Sequence, residues 1–304
     1  MPDWVQLLWG TIILRPYVFV FLVVYLIAGS AHMGWRRAFA YLPVGYGLAW
    51  ISELSSIHLG FPYGDYYYIP DTVDRELWVL GVPFMDSLSY VFLSYCSYNL
   101  AIFLLSPVVF KARNIFILET RAIRRSPRVW VLGACLFVLL DIIIDPVALQ
   151  GYRWFLGQIY GYRHPGIYFG IPMSNFGGWL LVGVVLVGAL QVLDRVPSLE
   201  PEGRGALTSV PWIGMLGPAL YLGIMVFNLA ITFWIGEHLL GVTGCLIVAV
   251  PTLLGALFSH YKHLHATRSE LEAHLGDFAD SPAWALQRMD HRNALLLDDA
   301  PQVP

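Results

Sequence analysis

Apolar residues run along this chain in windows of about 20, broken by short polar or turn-rich stretches, the spacing of helices that cross a bilayer. Seven spans are predicted, at roughly 14–33, 38–59, 82–105, 129–149, 177–193, 212–235 and 239–260. The fifth is short and can be extended back toward Met173. Residues 4–13 are expected to form a small helix lying in the interface. After Ser259 the chain turns polar. Residues 266–275 read as a helical continuation and 276–304, with Asp298, Asp299, Pro301 and Pro304, as a largely disordered tail. The expected division is a transmembrane helical domain at 1–265 and a polar cytoplasmic tail at 266–304. No internal repeat is evident, which weighs against inverted-repeat transporter folds.

Composition agrees. The chain is 57% hydrophobic and 13% charged, outside the range of soluble globular domains. The fold class is therefore all-α, a polytopic membrane helix bundle. A net charge of −3 leaves no nucleic-acid footprint. Cys96, Cys135 and Cys245 fall in apolar runs without pairing or zinc spacing and read as small core residues. The first residues lack the basic start and cleavage site of a signal peptide, so the first span is expected to be kept. Arg36, Arg37, Lys111, Arg113, Arg121, Arg124, Arg125, Arg128, Arg195, Arg204 and Lys262 all follow odd-numbered spans. The positive-inside bias then places the N-terminus outside and the C-terminus in the cytoplasm.

Acids interrupt this pattern in the fourth span, where Asp141 and Asp145 are four residues apart. On a helix they project from one face about 6 Å from each other. A carboxylate at the bilayer centre costs about 2.5–3.5 kcal/mol even on lenient scales, so a pair in one span calls for a function, with at least one member holding a proton. Counted at 1.5 Å per residue, Asp141 lies roughly 18 Å and Asp145 roughly 24 Å from the cytoplasmic end of the helix, and Glu53 also reaches roughly 24 Å in its own span. Asp86 sits just inside the outer end of the third span. All four acids share the outer half of the bilayer, where Pro146 is placed to kink or end the fourth helix.

The outer loops are rich in tyrosine: 60–70 holds four, and 151–179 adds Tyr152, Tyr160, Tyr162 and Tyr168 before Asn175, Phe176, the Gly177–Gly178 pair and Trp179. An aromatic belt accounts for tyrosines taken singly. It does not account for Asn175 beside a glycine pair at a helix start, which suits close backbone approach with an amide aimed inward. His260, His263 and His265 read as interfacial residues, and the other histidines are scattered, so no metal site is expected. Lys111 and Lys262 are the only lysines, and neither lies mid-span, so a retinal Schiff base is excluded. The DxxxD spacing also occurs in magnesium-dependent membrane prenyltransferases, whose diphosphates need basic residues that the outer side scarcely provides.

Acid chemistry on an apolar molecule taken from the lipid fits better. Protonation of a trisubstituted alkene gives a tertiary cation, which aromatic faces stabilise by roughly 0.5–2 kcal/mol each. Water held by a second carboxylate or by Asn175 then adds, and no cofactor is required. The candidate acid is Asp145 or Asp141, with the other member or Glu53 holding the water. Asp86 and Asn175 would orient them, and Tyr66 and Tyr168 would line the cation site, with Tyr63, Phe176 and Trp179 also against substrate. Other readings of the same residues are a polar network that holds the helices together, and a proton-coupled transporter or lipid-binding protein.

Glu53 with Phe61-Pro62-Tyr63-Gly64-Asp65-Tyr66, the run Asp141 to Pro146, and Tyr168 through Trp179 resemble the CruF-type carotenoid 1′,2′-hydratases, over roughly residues 45–260. Tyr63 stands where phenylalanine is more usual. The resemblance implies an integral membrane enzyme that adds water to the terminal double bond of an acyclic or monocyclic carotenoid such as lycopene or γ-carotene. Expected partners are that substrate, membrane lipid and other carotenoid-pathway enzymes.

Overall fold

The first two long helices, α2 (Pro16–Met33) and α3 (Trp35–Leu59), are joined by one residue, Gly34, at φ +87°. A side chain disfavours that backbone region, and glycine reverses the chain there without the penalty. A short helix, α1 (Asp3–Leu14), precedes them where the sequence predicts a helix at 4–13. The remaining long helices are α4 (Phe84–Leu105), α6 (Pro127–Ala148), α7 (Met173–Asp194), α8 (Leu216–Trp234) and α9 (His238–Leu264), with the short α5 (Arg121–Arg124) before α6. The computed structural model describes residues 3–111, 113–200, 210–293 and 296–297.

Six helical segments among the described residues are long and apolar enough to cross a membrane: α2, α4, α6, α7, Ile213–Trp234 and α9. The chain is an all-α, multi-pass integral membrane protein. Helix α3 is 25 residues long, but Arg36, Arg37, Glu53 and its serines leave it less apolar than the other six. It lies inside the same bundle, against α2, α4 and α7. Helix α6 packs most extensively on α7 and α4, so the acid-bearing span is central. Ser126 caps it by accepting the Val129 N–H at 3.2 Å, and Pro127 occupies the first turn, where a missing N–H costs nothing. Pro146 does not end α6 early: the helix runs two residues beyond it, to Ala148. Helix α9 is the most peripheral, with Leu239, Val242, Leu246, Val250, Leu253, Leu254 and Leu257 exposed at helical spacing, the outward stripe of a lipid-facing span.

At one end of the bundle the loops after α3 and α6 are tied together. Strands β1 (Tyr66–Tyr68) and β6 (Tyr160–Tyr162) pair antiparallel, Tyr66 opposite Tyr162 and Tyr68 opposite Tyr160. A second ribbon, β2 (Trp78–Val79) with β3 (Val82–Pro83), leads into α4. Arg15 is buried against Glu76 at 3.0 Å and also donates to the Leu156 carbonyl, while the Thr11 hydroxyl accepts the Leu77 N–H at 2.8 Å. These bonds hold α1 and both loops over the helix ends.

The opposite end carries the charges. A hairpin of β4 (Val108–Lys111) and β5 (Asn114–Ile117) precedes α5, whose Arg124 is buried between Glu119 at 2.6 Å and Asp194 at 3.5 Å. Asp194 also meets Arg125 at 2.6 Å and Arg37 at 3.5 Å, and His32 meets Glu119 at 2.9 Å. Burial works against the Glu119 charge, but Arg124 and His32 outweigh it and hold this carboxyl well below the ordinary glutamate range.

The polar tail folds onto this end, unlike the largely disordered segment expected from its composition. Helices α10 (Arg268–Asp277) and α11 (Trp284–Asn293) follow the last span, α10 opening with a Thr267–Glu270 capping box. Leu271, Ala283, Leu286 and Leu296 bury themselves against Val109, Phe116 and Leu118 of the hairpin segment. His274 is buried between the Glu119 carbonyl at 2.6 Å and the Ser281 hydroxyl at 2.7 Å. A few well-placed apolar side chains suffice because the hairpin supplies the other half of the core. The acidic end of the tail, 298–304, lies outside the described residues.

Candidate active site

Two residue periodicities build the site. In a strand, alternate residues share a face, so Tyr66 and Tyr68 point together, as do Tyr160 and Tyr162 on the paired strand. In a helix, residues four apart share a face, which places Asp86 with Tyr90 on α4 and Asp141 with Asp145 on α6. The ribbon lays its four tyrosines over the helix ends that carry the acids.

Hydroxyls and carboxyls then pair closely. Tyr66 and Tyr90 both donate to Glu53, on Oε2 and Oε1 respectively. The Tyr68 hydroxyl sits between Glu53 Oε2, at 2.9 Å, and Asp86 Oδ2. Asp145 accepts Tyr160 on Oδ1 at 3.0 Å and Tyr162 on Oδ2 at 3.0 Å. The amide of Asn175, in the first turn of α7, donates to Asp141 Oδ2 at 2.9 Å and Asp145 Oδ2 at 2.8 Å. One NH2 group thus draws the two aspartates together, as the inward-aimed amide read from the sequence requires. Asp141 Oδ1 has no hydrogen-bond partner and is fully buried.

These groups enclose a cavity with about 40 Å3 of room, enough for a few water molecules, lined by Glu53, Asp86, Asp145, Asn175, Trp179 and six tyrosines. Asp86, Asp145, Tyr160 and Trp179 also border a second cavity of about 110 Å3. Its other walls are mostly apolar, with Phe21, Phe92, Ile144, Trp154 and Phe227, and also carry Ser89 and Asn228. The Trp179 ring stacks on Tyr90 at 4.8 Å and packs on Phe137 at 4.6 Å, fixing an aromatic face at the junction. A water-sized polar chamber therefore adjoins an apolar one, with two carboxyls at the boundary.

The model of the carotenoid biosynthesis protein family matches residues 4–251, most of the chain and all of this site. The chain belongs to that family. No curated protein and no solved structure matches it. Membership gives this carotenoid biosynthesis protein a role in making carotenoids, a carotenoid as substrate and a place in the membrane, in keeping with its apolar helices.

Of the residues singled out in the sequence, the fold of this carotenoid biosynthesis protein brings Glu53, Asp86, Asp145, Asn175, Tyr63, Tyr66 and Trp179 to the polar cavity. Asp141 stands behind it, reaching it through Asn175. Tyr168 and Phe176 are not among the lining residues of either cavity: their rings pack edge to face at 5.7 Å, and the Tyr168 hydroxyl donates to the Ile142 carbonyl at 3.3 Å. Tyr68, Tyr90, Tyr160 and Tyr162 were not singled out as site residues. Tyr90 carried a signal, four residues after Asp86. The other three depend on a strand pairing that joins segments more than 90 residues apart. His263 accepts the Phe110 N–H at 3.2 Å and His265 stacks on Tyr261 at 4.0 Å, both at the far end of the bundle.

Proposed function

We propose that this protein is a hydratase that adds water across the terminal 1,2 double bond of an acyclic or monocyclic carotenoid. The observation that carries the reading is the junction of the two cavities. A hydrocarbon end group needs apolar walls, hydration needs water and acid, and the two meet at Asp86, Asp145, Tyr160 and Trp179. Proton transfer to C2 of the alkene leaves a tertiary cation at C1. Carboxylates and aromatic faces lower the energy of that cation. A water molecule adds to C1 and releases its extra proton to a carboxylate. Acid, base and water complete the reaction. Helices α4, α6, α8 and α9 also wall a separate apolar groove of about 650 Å3 toward the other end of the bundle.

In this reading all seven long helices cross the bilayer. On the positive-inside bias, the arginines clustered at the end opposite the site would face the cytoplasm, with the N-terminus outside and the C-terminus inside. The test uses membranes that contain the protein, lycopene or γ-carotene, and ¹⁸O-labelled water without oxygen, with the product read by mass spectrometry. A labelled hydroxyl is expected. Absence of product from both substrates, with correctly inserted protein, counts against the hydratase and for another polyene or a non-enzymatic role.

A further inference from the structure

The geometry points to Asp86, rather than either aspartate of α6, as the group that delivers the proton to the substrate. This assignment rests on the hydration reading above. It comes from a count of hydrogens. The Tyr68 hydroxyl lies against carboxyl oxygens of both Glu53 and Asp86, yet a phenol has one hydrogen to donate. The second contact forms only if one of the two carboxyls brings a hydrogen of its own.

Glu53 is the poorer place for it. Tyr66 and Tyr90 already direct their hydroxyls at Glu53, Tyr66 onto the oxygen that Tyr68 also meets. With Tyr68 as a third donor, each contact of Glu53 already has a hydroxyl hydrogen, and the carboxyl needs none of its own. A hydrogen on that shared oxygen would weaken it as an acceptor for Tyr66. Among the described residues Asp86 meets no side-chain donor except Tyr68, and it borders the apolar cavity as well as the polar one. The proton therefore rests on Asp86, held against the Tyr68 oxygen at the mouth of the apolar chamber.

The count for Asp145 comes out the other way. Tyr160, Tyr162 and Asn175 each bring their own hydrogens, so Asp145 is an anion with three donors, suited to receiving a proton from water. The reaction balances. The Asp86 O–H bond breaks and the π electrons of the alkene form the C2–H bond, which leaves the cation at C1. A water oxygen bonds to C1, its surplus proton passes to Asp145, and that proton returns across the cavity to Asp86.

Deuterium oxide separates the two roles. Protonation at C2 followed by proton loss exchanges the vinyl hydrogen of the substrate without any net hydration. In membranes with γ-carotene or lycopene, Asp86→Asn is expected to lose about 100-fold or more in both hydration and vinyl exchange. Asp145→Asn should lose hydration to a similar degree but keep exchange, and Asp86→Glu should recover part of both, which shows that the Asn variant failed for want of a proton rather than a fold. Exchange at the normal rate in Asp86→Asn, or exchange lost in Asp145→Asn yet kept in Asp86→Asn, overturns the assignment. Wild-type membranes that neither hydrate nor exchange would bring down the hydratase reading itself. An active wild type with an equally active Asp86→Asn removes the donor and leaves the hydratase standing.

Discussion

Adjacent glycines at the start of α7 make opposite predictions for the same substitution. A Cβ on Gly177 meets nothing within 4 Å, whereas one on Gly178 would lie 2.7 Å from the carbonyl carbon and oxygen of Pro62 and 2.7 Å from Cδ1 of Tyr63. Two of those three atoms are backbone, so the clash cannot be relieved by a rotamer change. Relief requires the loop to move, and that loop is pinned by the Tyr63 N–H on Ser56 Oγ at 2.9 Å and by Ser174 Oγ on the Tyr63 carbonyl at 3.3 Å. Replacing glycine by alanine inside a helix gains about 0.8–1 kcal/mol, and forcing extra volume into a packed site costs about 1–3 kcal/mol. Gly177→Ala should therefore hold or raise stability by up to about 1 kcal/mol. Gly178→Ala should lose up to about 2 kcal/mol net, since the contacts are close and the neighbours rigid. Activity should fall further than stability, because Tyr63 and Trp179 line the polar cavity and a shift of about 1 Å in a catalytic site can cost about 100-fold. Thermal unfolding of the purified protein in detergent, with hydration assayed in parallel, measures both. Equal melting temperatures and equal turnover in the two variants would refute the close approach of α7 to the Pro62 loop.

Three other outcomes follow from the same geometry. Asn175→Leu removes the amide shared by Asp141 and Asp145; turnover should drop by about 100-fold, and a loss below threefold would show that neither carboxyl depends on it. Arg124→Gln leaves the buried Glu119 without its main counter-ion and should destabilise the protein by about 3–5 kcal/mol, read as a lower melting temperature; an unchanged melt would mean that Arg37, Arg125 and His32 suffice. Because Glu119 is held below the ordinary glutamate value of 4.5, its stabilising charge is fully present above that pH and is lost as pH falls through the lower, folded-state value. The melting temperature should therefore hold down to pH 4.5 with respect to this pair and fall below it, and a loss in Arg124→Gln that does not shrink on acidification below pH 4.5 would count against this role for Glu119.

Much of the fold was legible because a bilayer imposes one period and one length on every span. The site was half legible, for a related reason. Acids in an apolar run stand out by their cost, so Glu53, Asp86, Asp141 and Asp145 were visible, and Asn175 stood out beside a glycine pair. Tyrosines carry no such cost at an interface. Tyr66, Tyr67 and Tyr68 are identical, so the alternation that turns Tyr66 and Tyr68 inward is hidden until Tyr162 and Tyr160 pair with them. Tyr168 looked equivalent to these in the sequence, yet it packs on Phe176 because no strand carries it over the acids. A helix, α3, covers the predicted second span, but its arginines and Glu53 leave it less apolar than the six segments suited to cross a membrane, and it packs among neighbouring helices. The tail shows the converse limit: a polar segment with a few leucines has no core of its own, and the hairpin that completes it lies about 150 residues earlier.

The acid chamber sits at one end of the bundle, under the tyrosine ribbon, and that position bears on the product more than on the reaction. Lycopene or γ-carotene is a hydrocarbon with no preferred leaflet. The proposed hydration in this chamber would give it a head group, and every head group would be made at the same face. The molecule that slides back into the bilayer is an oriented amphiphile, so a protein of this design would set the sidedness of a pigment at the moment of its synthesis.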